Sequence, residues 1–220
     1  MKAFLLSLLT VAIPMAEANP DFVDLSKMCS GIKIQMDYAT RLNFTGDIVP
    51  GYKAKKAYFA RGPAERLCLV QEDALKEGLT LKIFDSYRPA KAVASFLRWA
   101  SLPETNPELK KKYHPKYTRQ EILDLGFIAK QSSHSKGSAI DLTLERLSDG
   151  VELDMGTPFD FFDSLSHTES DLVTEVQRKN RLKLRSLMEK HGFRNFSQEW
   201  WHYSFRPEPY PDQYFDFDVE

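Results

Sequence analysis

The stretch SSHSKGSAIDLTL, residues 132–144, carries a histidine, a glycine and an aspartate within ten positions and then alternates. From Ala139 onward the alternation predicts a strand. Ile140, Leu142 and Leu144 share one face; Ala139, Asp141 and Thr143 share the other. Taken alone, the stretch fits two readings. One is a serine-rich turn entering a strand whose aspartate faces water; the other is half of a metal site. The small residues Ser132, Ser133, Gly137, Ser138 and Ala139 predict a backbone that approaches another group closely.

Working outward, the flanking segments supply both kinds of element. LTLKIFDSY, residues 79–87, alternates as a second strand and stops at Arg88-Pro89. VELDMG, residues 151–156, lies across the turn signal SDG from the opening stretch, which predicts a hairpin. AERLCLVQEDALKEG (64–78), AKAVASFLRWA (90–100) and NRLKLRSLMEKHG (180–192) have helical spacing, the first and last ending at Gly78 and Gly192. SGIKIQMDYAT (30–40) and FRNFSQEWWHYSF (193–205) read as strands, and NFTGDIVPGY (43–52) as a loop. Helices mixed with short antiparallel strands predict a single α+β domain.

Composition fits that class: of 220 residues, 42% are apolar and 28% charged. The net charge of −1 excludes an electrostatic nucleic-acid binder and gives no support to a membrane-surface role. Lys2 is followed by an apolar run of 13 residues and then Ala16-Glu17-Ala18. This pattern predicts a cleavable signal peptide over 1–18, with the domain over 19–220 and the protein exported to the periplasm or medium. The run is too short for a spanning helix, so no stable membrane anchor is expected. Cys29 and Cys68 then allow either one disulfide or two buried thiols. Residues 102–131, polar and broken by Pro103, Pro107 and Pro115, read as a lid or a surface elaboration with short helices. The Pro-rich acidic tail, 206–220, reads as a surface extension.

Five histidines are available. His114 and His167 lie in polar segments and are expected in solvent, while His191 sits where a helix ends. His134 and His202 each have a carboxylate at short range: Asp141 seven residues on, and Glu199 three residues back. In a strand, residues three apart face opposite sides, so Glu199 and His202 need a bulge or strand-end turn to converge. Together these residues suggest a catalytic zinc site. Two imidazoles and a carboxylate make three ligands and leave a fourth position for water. Glu199 is then the proton carrier, and Arg88 the group that meets a developing oxyanion.

These residues, in this order, resemble the zinc D-alanyl-D-alanine dipeptidases of the vancomycin-resistance type, within the wider zinc D,D-peptidases that share a fold with the Hedgehog signalling domain. The likeness runs from DYATRLNFTG (37–46) through SYRP, SSHSKGSAIDLTL and MGTPFDFF (155–162) to EWWHYSF (199–205) and the YFDF of the tail. It implies a central, mostly antiparallel sheet flanked by helices. It implies one Zn2+ per chain on His134, Asp141 and His202, with Glu199 as general base and acid. By the same resemblance Arg88 stabilises the tetrahedral intermediate, Asp160 receives the substrate's amino group, and Tyr52 and Ser132 line the pocket. The implied reaction is hydrolysis of the small dipeptide D-Ala-D-Ala. With export, this points to D-alanine recycling or wall remodelling. A D,D-carboxypeptidase or endopeptidase on peptidoglycan stems is the nearest alternative, and a non-catalytic zinc-stabilised wall-binding module a more distant one.

Overall fold

The computed structural model describes residues 21–220; the expected signal peptide, 1–18, lies outside them. The chain opens with strand β1 (Phe22–Asp24), the short helix α1 (Leu25–Met28), strand β2 (Lys33–Ile34) and strand β3 (Tyr58–Ala60). Helix α2 (Arg61–Lys76) and strand β4 (Leu79–Asp85) follow, then helices α3 (Ala90–Ser101), α4 (Pro107–Tyr113) and α5 (Arg119–Asp124). Strand β5 (Ala139–Arg146), helix α6 (Glu175–Lys190) and strands β6 (Phe193–Asn195) and β7 (His202–Phe205) complete it. This is the mixed α+β architecture that the sequence predicts.

Five strands form one sheet in the order β2-β4-β5-β7-β6, parallel between β2 and β4 and antiparallel elsewhere. The two central strands are buried along nearly their whole length on both faces. Ile140, Leu142 and Leu144 are fully buried, as their alternation requires, and Asp141 on the other face is buried too. Strand β4 pairs Leu81 with Leu144 and Ile83 with Leu142, then a bulge shifts the register so that Asp85 faces Asp141. A bulge of this kind re-aims side chains, and here it brings a second aspartate to the strand end that carries the site.

Three expectations need correction. Only Lys33–Ile34 of residues 30–40 is strand, and Asp37–Ala39 is a 3-10 turn. Local hydrogen bonds outcompete the ladder there. Gln35 donates to the Asp37 carboxylate, and the buried amide of Asn43 donates to the carbonyls of Asp37, Thr40 and Asp47. The tail is no mere surface extension. Phe215 and Val219 are buried, Val219 bridges to Tyr52, and the Phe217 ring stacks on Tyr87 at 4.1 Å. Apolar residues at every second position let this extended tail bury one side. His114 is buried rather than solvated: its ring nitrogen Nδ1 lies 3.0 Å from the Tyr117 carbonyl, and its ring meets the edge of Trp99.

The 102–131 segment is a surface elaboration with the short helices α4 and α5, and Gly126–Ala129 and Gln131 from its end line the cleft. Of the two states open to the cysteines, the structure has the disulfide, Cys29–Cys68, which ties the end of α1 to α2.

Candidate active site

A cleft of about 210 Å3 opens where the ends of β4, β5 and β7 meet. Its polar wall holds Arg88, Ser132, His134, Asp141, Asp160, Glu199 and His202. Residues 132–137 fold so that His134 enters this wall. Ser132 accepts the His134 amide hydrogen at 3.2 Å and starts a 3-10 turn over Ser133–Lys136. Gly137 ends the turn with φ of 66°, and a Cβ there would lie 2.5 Å from the Phe22 ring. This is the close approach that the small residues foretold, and only glycine permits both the left-handed conformation and the contact.

The β5–β7 register places Asp141 opposite His202. Glu199 precedes β7 in a turn closed by the His202 amide donating to the Glu199 carbonyl at 3.2 Å. That is the strand-end turn needed to bring Glu199 and His202 to one centre, and Glu199 Oε2 lies 3.9 Å from His202 Nδ1. His134 Nε2, His202 Nδ1 and the Asp141 carboxylate converge: His134 Nε2 is 3.2 Å from His202 Nδ1 and 3.3 Å from Asp141 Oδ2, and His202 Nδ1 is 2.9 Å from Asp141 Oδ1.

This donor set fits a metal ion. His134 Nδ1 lies 2.6 Å from the Ser86 carbonyl, which fixes its proton there and leaves the Nε2 lone pair aimed at the cluster. The donor atoms of His134, Asp141 and His202 all lie within 4.8 Å of one another. Charge argues the same way. Asp85, Asp141, Asp160 and Glu199 are all buried, Arg88 pairs with the first two, and a divalent cation bound here would favour the ionised form of the carboxylates beside it.

The electrostatics separate the carboxylates. Burial alone would raise the pKa of Asp141, but His134 and His202 pull it well below the ordinary range. Burial raises Glu199 well above that range, helped by the charges of Asp141 and Asp160. Asp160 is likewise raised, chiefly by burial and then by Asp141. Burial lowers His202, which favours the neutral imidazole that a metal ligand must be.

Arg88 donates from Nε to Asp85 at 2.7 Å and from Nη2 to Asp141 at 3.2 Å, and lies 5.3 Å over the rings of Tyr38 and Phe96. Asp160 lines the same cleft at φ of 59°, its carboxylate accepting from the Tyr38 hydroxyl at 2.9 Å. Tyr52, expected in the pocket, lies behind it instead. It is not among the lining residues, and its hydroxyl donates to Asp85 at 2.6 Å. The place of a lining tyrosine goes to Tyr38. Asp85 and Glu208, not among the residues the sequence singles out, also support the site. Asp85 had a signal, a carboxylate three residues before Arg88 at a strand end. Glu208 had none, because its partners Ser133 and Lys136 are more than seventy residues away.

Residues 18–220 match the family model described as D-ala-D-ala dipeptidase. A D-alanyl-D-alanine dipeptidase of Enterococcus faecium is 44% identical over 199 residues, 90% of this chain and 98% of the relative. One from Streptomyces coelicolor is 40% identical over the same shares. One from Escherichia coli is 33% identical over 183 residues, 83% of each chain. With the match spanning the whole described fold, the chain belongs to the D-Ala-D-Ala dipeptidase family of peptidases.

Proposed function

We propose that this protein is an exported zinc dipeptidase that hydrolyses D-Ala-D-Ala to two D-alanines. The observation that carries the reading is the convergence of His134, Asp141 and His202, with Glu199 and Asp160 lining the same small cleft. Two imidazoles and one carboxylate are a donor set suited to catalytic zinc. Zinc held there supplies Lewis acidity, lowering the pKa of water to about 7 and polarising a carbonyl.

The chain's own residues do the rest. Glu199 takes the proton of the attacking water and hands it to the leaving amine. Its carboxylate lies beside the cluster, with Oε2 3.9 Å from His202 Nδ1, within reach of a water held there. The Arg88 guanidinium donates to the oxygen on which negative charge develops. The Asp160 carboxylate pairs with the substrate ammonium, which restricts the cleft to peptides with a free N-terminus. Ser132 holds the turn that carries His134 and contributes to the pocket wall. Phe127, Ile128 and Ala129 close the apolar side and favour a small substrate over a whole peptidoglycan stem.

Export is supported by the Cys29–Cys68 disulfide, which persists in oxidising compartments. In that location the substrate is D-Ala-D-Ala released from peptidoglycan, and the role is D-alanine recycling or wall remodelling. The test is a hydrolysis panel of D-Ala-D-Ala, N-acetyl-D-Ala-D-Ala and stem peptides, with and without chelator. Chelator-sensitive cleavage confined to the free dipeptide is the expected result. Equal cleavage of the blocked peptide would replace this reading with a carboxypeptidase.

A further inference from the structure

Arg181 is completely buried, yet its partners are backbone carbonyls and not carboxylates. Its Nε donates to the Met155 carbonyl at 2.7 Å, and its Nη1 to the carbonyls of Leu165 and His167 at 2.9 and 2.6 Å. Its Nη2 is buried with no hydrogen-bond partner among the described residues. Burying a cation this way is costly, and an apolar side chain of similar volume would fill the space without that cost. The guanidinium does something that an apolar residue cannot: one planar group gathers both ends of the loop between Asp154 and His167.

Neighbours on the same face of α6 hold the same loop. Gln177 and Asn180, four and one residues before Arg181, donate to the side chain and the carbonyl of Asp154 at 2.9 and 2.8 Å. Gly156 lies so close to the helix that a Cβ would meet Gln177 at 2.9 Å. Asp160 stands at the apex of this loop in a left-handed conformation that a non-glycine residue keeps only where its surroundings over-determine it. The loop's far side reaches the residue after Glu199: Thr157 accepts from the Trp200 indole at 2.8 Å, and the Trp200 amide donates to the Ser166 carbonyl at 3.0 Å.

We propose that Arg181 is a positioning residue for recognition of the substrate's amino terminus, clamping both ends of the 154–167 loop so that Asp160 is held facing the cleft. The inference rests on the reading of Asp160 as the ammonium acceptor.

The test uses the full metal-loaded mature chain in four forms: wild type, Arg181→Lys, Asp160→Asn and the double variant. KM and kcat are measured for D-Ala-D-Ala, together with its preference over N-acetyl-D-Ala-D-Ala. Arg181→Lys should raise KM roughly tenfold, as expected for a lost charged hydrogen-bond fork, and erode the preference. Its kcat should stay within about threefold, since the lost interaction is one of binding. The double variant should be no worse in KM than Asp160→Asn alone. A merely structural role would lower Tm and leave KM and the preference in place. If Asp160→Asn moves KM but a folded Arg181→Lys does not, the Arg181 inference is overturned. If Asp160→Asn itself leaves KM unchanged, the reading of Asp160 fails first, and this inference with it. Should Arg181→Lys not fold, Arg181→Met fills the space without a buried charge and removes the same three hydrogen bonds to the loop, and an unchanged KM in that variant also overturns the proposal.

Discussion

Asp141 and His202 are direct cross-strand partners in the β5–β7 ladder, and their side chains meet at 2.9 Å between Oδ1 and Nδ1. A register slip of one residue would send one of them to the opposite face. The register that builds the sheet therefore also brings together two of the three residues of the candidate metal cluster. His134 joins through the 3-10 turn that precedes β5.

Replacing Glu199 with Gln keeps the shape of the side chain and removes the proton acceptor. Steady-state kinetics should show kcat down by about 10²–10⁴-fold. Metal content, read by atomic absorption, should stay at one per chain. A variant that binds metal and keeps full activity would remove Glu199 from the mechanism.

Arg88→Lys keeps the charge and loses the fork that spans Asp85 and Asp141. A fall in kcat of about 10²–10³-fold, with KM little changed, is expected of a group that acts on the developing oxyanion. A change confined to KM would instead make Arg88 a ground-state binding residue.

Metal removal should abolish activity and lower Tm together. Asp85, Asp141, Asp160 and Glu199 are buried close together, and a chelator would remove a cation that stabilises their ionised forms. At metal concentrations about a hundredfold above Kd, binding contributes about 2.7 kcal/mol of stability. Calorimetry with chelator, followed by Zn2+ addition, measures both effects. A Tm indifferent to chelator would argue against a metal at this cluster.

Glu208 supplies the pH prediction. Its carboxylate accepts from Ser133 at 2.7 Å and from Lys136 at 2.8 Å, gripping the turn on both sides of His134. Burial raises its pKa, but Lys136 and Ser133 outweigh this and the net shift is downward. A carboxylate with a lowered folded pKa stabilises fully above its unfolded value, about 4.3, and the contribution is lost as pH falls below that. Melting curves of wild type and Glu208→Gln should differ at neutral pH and converge on acidification. A gap that widens in acid would reverse the sign and refute the assignment.

Reducing the Cys29–Cys68 disulfide, or replacing both residues with serine, should cost about 2–4 kcal/mol. The Tm should fall by several degrees, while kcat at low temperature stays unchanged, since neither cysteine lines the cleft. Activity lost in step with reduction, well below Tm, would show that the bond acts on the site itself.

The sequence by itself determined the central strands and main helices, because alternation and helical spacing report burial directly. It also pointed to His134, Asp141, Glu199 and His202, because each histidine has its carboxylate close by in the chain. Tertiary structure decided what depends on distant partners. Asp85 reaches the site only through a bulge, Tyr52 falls behind Arg88, and the tail is drawn beneath the His134 turn by Phe215, whose amide donates to the Ser135 carbonyl. Arg181 and Glu208 had no local signal, since their work is done on backbone and side chains that only the folded chain brings within reach. Periodicity encodes which face is buried; it does not encode what that face will meet.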